Sequence, residues 1–358
     1  MSTLLPAGTA TGSDLDERIG RMLVVGFRGL EADRGSAIAR TIRRHHIGGV
    51  VLFDRDVPSG RATRNIRDPQ QLHRLTRNLQ RAAPYPLLIA VDQEGGQVNR
   101  LSRSRGFEVA PSAADLGERP LPATRRTASA TARQLAGLGI NWNLAPVVDL
   151  AINPDNPVIA GLDRAFGKRP QEVVPRAAAV VRAHRDAGVS TALKHFPGHG
   201  SAWGDTHEGA VAITDSWRSR ELAPYRRLID RGLAESVMVG HLWHGRLDDR
   251  WPASLSPATV KGLLREELGF GGVVVSDDLQ MAAIREKFGL RTVILQALRA
   301  DVDLFMFANN TVYEPDIAAR SAAIIHSLVA TGAIPEARID RSFRRIRRFT
   351  RGIGKGLR

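Results

Sequence analysis

The sequence predicts an α/β chain folded as a single (β/α)8 TIM-type barrel, and three observations carry that expectation. Short apolar runs recur eight times along the 358 residues, each followed by helical sequence. These runs are continuously apolar rather than alternating, as strands buried on both faces are. The polar residues that interrupt them gather at one end: Asp92, Asp149, Lys194, His195, His241 and Asp277 all fall at the C-terminal ends of runs. Alternating β and α segments imply a parallel sheet covered by helices, and eight units favour a closed barrel over an open doubly wound sheet. No composition break or long linker divides the chain, so one domain over 1–358 is expected, with 1–13 disordered.

Taken in order, residues 14–20 open a short helix ahead of the first run, 21–27. A helical stretch over 31–45 leads to the second run, 47–53, and an arginine-bearing loop follows. Asp68 is placed to cap the next helix, with Pro69 at its first position, where a missing N–H costs nothing. The third run, 86–91, ends in Asp92-Gln93-Glu94-Gly95-Gly96. A long helix over 112–137 precedes the run at 140–150, and a helix over 170–187 precedes 189–193. Helices near 218–231, 256–268 and 281–300 stand before the runs at 236–241, 272–277 and 303–307, and two helices close the chain.

Bulk composition narrows the function. Hydrophobic content of 43% with 25% charged residues is that of a globular protein. Cysteine is absent, which excludes disulfides, thiolate metal sites and a cysteine nucleophile. The first residues lack a basic patch followed by an apolar core, and no apolar run reaches about 18 residues, so neither a secretory signal nor a spanning helix is expected. The expected location is cytoplasmic and the expected state monomeric, with no membrane partner. The net charge of +14 comes from arginines spread along the chain and dense over 338–358. It reads as solvated helix faces, at most steering an anionic ligand, because no nucleic-acid motif accompanies it.

The stretch 194–208, KHFPGHGSAWGDTHE, crowds Lys194, three histidines, Asp205, three glycines and Pro197 directly behind an apolar strand. A loop this dense in titratable groups on a rigid frame is where chemistry resides. Asp205 stands two residues before His207, a spacing that lets a carboxylate fix one ring nitrogen and leave the other to exchange protons. Asp277, at the end of the seventh run, points into the barrel mouth, whereas the adjacent Asp278 suits a helix cap. The pairs His195/His199 and His241/His244 are poor metal sites, since Phe196-Pro197-Gly198 prevents the helix that would align the first pair. Gly95-Gly96 lacks the context of a phosphate loop, so no nucleotide cofactor is expected.

Together these residues resemble the β-N-acetylhexosaminidases of glycoside hydrolase family 3. KHFPGHG followed by Asp205-Thr206-His207, with Ser276-Asp277-Asp278-Leu279 later, is similar to that family's signature. The likeness continues through VDQEGGQVNRL (91–101), NLAPVVDLAINPDNPVI (143–159), DRAFG (163–167), VMVGH (237–241) and PASLSP (252–257), in order over nearly the whole chain. The resemblance implies a bacterial enzyme of the peptidoglycan-recycling type, acting on a small carbohydrate without cofactor or metal. It makes Asp277 the nucleophile and His207 the acid/base, with Asp205 as its partner. It places Asp92, Arg100, Arg164, Lys194, His195 and His241 around the first sugar. Two departures stand out: Thr206 replaces the usual Ser, and Gln97 stands where Arg is frequent.

The implied reaction is retaining hydrolysis, with a carboxylate attacking the anomeric carbon and a proton donor serving the leaving oxygen. A histidine replacing the usual second carboxyl is coherent, because its reference pKa of about 6.5 suits both halves of the cycle. Two other readings stay open. Phosphorolysis through the same intermediate would exploit a neutral base that does not repel phosphate. A catalytically silent sugar-binding barrel is the third, since fold alone does not establish activity.

Overall fold

The computed structural model describes residues 12–351 and 353. The disorder expected for 1–13 lies outside the described residues up to 11, and residues 12 and 13 already belong to the first helix, Gly12–Gly20. Eight parallel strands follow the predicted runs: β1 (Leu23–Gly26), β2 (Gly49–Leu52), β3 (Leu88–Val91), β4 (Trp142–Asn143), β5 (Ser190–Phe196), β6 (Ser236–Val239), β7 (Val273–Ser276) and β8 (Phe305–Phe307). They pair in the order β7-β6-β5-β4-β3-β2-β1-β8, and a parallel bridge between Val275 and Leu304 brings β7 to β8. The sheet therefore closes in sequence order, a (β/α)8 barrel with helices around it. Apart from Ser190, every residue of these eight strands is buried. Each buried Val, Leu or Ile contributes roughly 1.5–3 kcal/mol, which is why unbroken apolar runs were required.

Local chemistry sets the boundaries. Asp68 caps the helix Pro69–Ala82 as expected, accepting from the Gln71 N–H at 2.8 Å. The long segment predicted over 112–137 is two helices, Ala113–Glu118 and Leu121–Gly137, because Pro120 has no N–H to continue the first. The segment 281–300 is likewise divided, into Ala282–Arg285 and Leu290–Arg299, with Gly289 at the break. In the fourth run only Trp142–Asn143 pairs as strand, and Pro146 takes the rest into an irregular path that still buries Asp149.

Strand β5 runs three residues beyond its predicted end, so Lys194 and His195 are strand residues rather than loop. Backbone pairing on both sides holds them: the Val148 N–H donates to Lys194 O at 2.9 Å and the Gly240 N–H to Phe196 O at 3.0 Å. At the opposite end of the barrel, part of the basic C-terminus proves to be internal structure. Arg338 is buried, and Arg265, Arg338 and Arg345 surround Asp301 and Asp303 at 2.6–3.2 Å. Among the described residues, no helix is long and apolar enough to cross a membrane.

Candidate active site

The C-terminal ends of the strands enclose a cavity of about 540 Å³, within the range of small-molecule sites. Asp92, Arg100, Arg164, Lys194, His195, Asp205, His207 and Asp277 all line it. The structure thus brings eight of the residues named from the sequence to one cavity, from segments far apart in the chain.

The floor is a buried knot of charge. Lys194 Nζ lies 2.7 Å from Asp92 Oδ1 and 2.7 Å from Glu94 Oε1. Arg164 meets Glu94 with two parallel bonds, Nε to Oε2 and Nη2 to Oε1, both 2.8 Å, the strong forked geometry of guanidinium with carboxylate. Burial alone would push the Glu94 carboxyl up, yet the charges of Arg164 and Lys194 outweigh it and hold it far below the usual range. The same pairing keeps Lys194 protonated: burial opposes its charge, and Asp92 and Glu94 more than compensate. Arg100 leans over the Phe53 ring, 5.5 Å from its centroid, with Nη2 3.9 Å from Asp92.

His195 is fixed from two sides. Arg164 Nη2 can only donate, so His195 Nε2 accepts at 3.2 Å, and the ring proton resides on Nδ1, which donates to Asp149 Oδ2 at 2.7 Å. Asp149 also accepts the backbone N–H of His195 and of His199; burial pushes its carboxyl up, but the His195 ring above all, and His199 after it, keep it low. Glycine is required at 200 for the loop to settle here, since a Cβ there would come within 1.7 Å of Leu150 O.

Asp277 extends from the end of β7, its N–H donating to Val239 O at 3.0 Å. Burial raises its carboxyl, but the imidazoles of His241, His195 and His207 around it prevail and leave it at about 2. Across the cavity, His207 Nδ1 lies 2.7 Å from Asp205 Oδ1, which also accepts the His207 N–H at 2.8 Å. The hydrogen bond to Asp205, and less strongly the charge of Asp277, raise the His207 pKa above its ordinary value despite burial of the ring edge. The side chain itself remains 61% exposed, open to a substrate.

His241 is the exception. It is fully buried and absent from the cavity wall, with Ser254 Oγ donating to Nδ1 at 2.7 Å and Nε2 donating to Asp278 O at 2.9 Å. Both nitrogens are committed, and burial lowers its pKa, so it supports the Asp277–Asp278 backbone and offers a sugar nothing. The helix-cap expectation for Asp278 is also corrected: its Oδ1 accepts from Gln280 N and Ala308 N, tying the end of β7 to the end of β8. Two residues were missed. Glu94 carried a signal in standing two positions after Asp92, and Asp149 was noted at a strand end without a partner to give it a role. Among the described residues, no group of three or more His, Asp or Glu is arranged to hold a metal ion.

The glycosyl hydrolase family 3 N-terminal domain matches residues 14–349. The chain belongs to glycosyl hydrolase family 3. It is 37% identical to the β-hexosaminidase LpqI of Mycobacterium tuberculosis over 351 residues, covering 95% of this chain and 84% of that one. It superimposes on a family 3 β-N-acetylglucosaminidase from Paenibacillus with a TM-score of 0.86 at 34% identity, spanning 94% of this chain and 62% of the longer neighbour. A β-N-acetylhexosaminidase from Beutenbergia cavernae gives 0.83 at 30% identity, covering 94% and 98%.

Proposed function

We propose that the protein is a retaining β-N-acetylglucosaminidase that releases terminal N-acetylglucosamine from β-linked glycosides such as muropeptides. One observation supports this above others: an ionised strand-end carboxylate, Asp277, shares a single cavity with the His207–Asp205 pair. The similarity to a β-hexosaminidase and a β-N-acetylglucosaminidase points the same way.

The proposed cycle has two halves. In the first, Asp277 attacks the anomeric carbon, the glycosidic C–O bond breaks, and His207 gives its Nε2 proton to the departing oxygen. In the second, the now neutral His207 takes a proton from water, whose oxygen bonds to the anomeric carbon as the sugar–Asp277 bond breaks. Asp205 supports the first half by favouring imidazolium, and the neutral base of the second half places no extra anion beside Asp277. Such positioned proton transfer contributes about 10²–10⁴ in rate. Lys194, Arg164, Asp92 and His195 supply the fixed polar floor against which the sugar hydroxyls would be ordered.

An asymmetric pair of variants tests the roles. Asp277→Ala abolishes turnover of every substrate, whereas His207→Ala spares aryl glycosides whose acidic phenols leave without a proton. Equal loss on both substrate types overturns the assignment. Aryl glycosides differing only at the 2-position, N-acetyl against hydroxyl, test the sugar.

A further inference from the structure

Beneath the acid/base loop lies a buried carboxyl that the proposed cycle does not use. Glu221 is 1% exposed, on the turn Ser219–Leu222 ahead of the helix Ala223–Asp230. It packs directly under the backbone of the KHFPGHG segment: a Cβ at Gly198 would come within 2.7 Å of Glu221 Cβ and 3.0 Å of Oε2. Gly198, at φ 125°, is thereby fitted to this contact by both space and conformation. Oε1 accepts from the Arg218 N–H at 3.1 Å, and Ser201, at the end of the 197–201 turn, is the other hydrogen-bonding neighbour of the carboxyl. Tyr225 also stands beside the carboxyl, its hydroxyl buried and unpartnered.

The surroundings favour an uncharged carboxyl. Asp149, from the segment after β4, is an anion that repels charge on Glu221, and Tyr225 faces it from its own helix. From the loop, burial lowers His199 to about 4, so it brings no positive charge. Arg218 turns its guanidinium away to Asp215 O and Trp217 O. Burial, reinforced by Asp149, lifts Glu221 to about 7. The loop above is clamped by neighbours: Trp217 Nε1 donates to Pro197 O at 3.1 Å, and Asn156 Nδ2 donates to His199 O at 2.8 Å. Glu221 is the titratable member of that clamp, and the same loop carries Asp205 and His207 onward.

We infer that Glu221 is a positioning residue for the acid/base loop: its neutral carboxyl seats the 197–201 turn, and its ionisation beside Asp149 unseats the turn and displaces His207. The kinetic consequence rests on the reaction proposed above; the structural consequence does not. An ionised carboxylate here keeps the bonds from Arg218 and Ser201 but lacks a cation and stands against another anion, so burial favours the protonated form.

The experiment has two arms, each using the full chain as wild type, Glu221→Gln and Glu221→Met. Hydrogen exchange of amides 197–207, corrected for the intrinsic effect of pH, is measured from pH 6 to 9. Wild type is expected to lose protection in this segment as Glu221 titrates, and the two uncharged variants are expected to show no such transition. In the second arm, kcat/KM is followed on an alkyl N-acetylglucosaminide, whose departure needs the proton of a correctly placed His207. Wild type should fall on its alkaline side with the slope of two titrating groups, Glu221 and His207, and the variants with that of His207 alone, so the two profiles part by about 30-fold one and a half pH units above the Glu221 midpoint. An unchanged midpoint in folded Glu221→Gln or Glu221→Met, or wild-type protection that does not respond to pH, overturns the inference. Absence of turnover in every protein would overturn the proposed activity instead, and the exchange arm would still decide Glu221.

Discussion

In a Glu94→Ala variant the Arg164 guanidinium would lose both arms of its forked carboxylate contact and keep only Val158 O at 2.9 Å and His195 Nε2 at 3.2 Å. Lys194 would fare better, because Asp92 remains 2.7 Å from its ammonium. The cost therefore falls mainly on Arg164, whose side chain is 9% exposed against 7% for Glu94. Removing one partner of a buried ion pair typically costs about 3–5 kcal/mol, since the surviving charge is left without water or a counterion. The expected loss lies in that range, and Glu94→Gln, retaining one acceptor oxygen, should lose less. The effect also has a signature in pH. Glu94 is held below its ordinary value, so its stabilising contribution is fully present above the unfolded pKa of about 4.3 and is lost progressively as pH falls from there toward the depressed folded value. Urea unfolding at pH 7 and at about pH 3.5 reads both: a gap between wild type and variant at neutrality that narrows in acid. A loss under about 1 kcal/mol at pH 7, or a gap that widens in acid, would refute the reasoning.

Further expectations concern the remaining site residues. Asp205→Asn removes the leading cause of the raised His207 pKa, so the alkaline limb of kcat/KM moves to lower pH on alkyl glycosides, which need the proton, and moves little on acidic aryl glycosides. Asp149→Asn weakens three bonds to His195 and His199 and frees the His195 tautomer; KM should rise with a stability loss of about 1–3 kcal/mol, read by substrate kinetics and thermal unfolding. His241→Gln, because His241 lies behind the wall, should lower stability while leaving KM close to wild type.

How much of this was legible in the sequence depends on range. Eight strands were readable because each is buried on both faces and must be apolar throughout, a demand that leaves a mark in every run. Their closure followed from their number. Helix breaks at Pro120 and Gly289 were written in single residues within otherwise helical windows, and the longer pattern masked them. Arg100 and Arg164 were legible only through the family resemblance, Asp205 and His207 by their spacing in a crowded loop, and Asp92, Lys194, His195 and Asp277 because they stand at one end of the runs. His241 shares that position yet serves the interior, since only the coordinates show Ser254 and Asp278 claiming its two nitrogens. Glu94 and Glu221 escaped for a related reason: their roles exist only through partners 70 residues away for Arg164, and through the loop that folds back over Gly198. The arginines of 338–345 illustrate the reverse case, where a composition that suggests solvent includes a buried charge network.

The central claim is that Asp277 forms the bond to the sugar. A slow fluorinated N-acetylglucosaminyl donor, reacted with the enzyme and followed by peptide mass mapping, tests it directly. A single sugar adduct is expected on the peptide containing Asp277, absent from Asp277→Ala. An adduct on another residue, or steady turnover of such donors with no adduct and an inverted product, would contradict it.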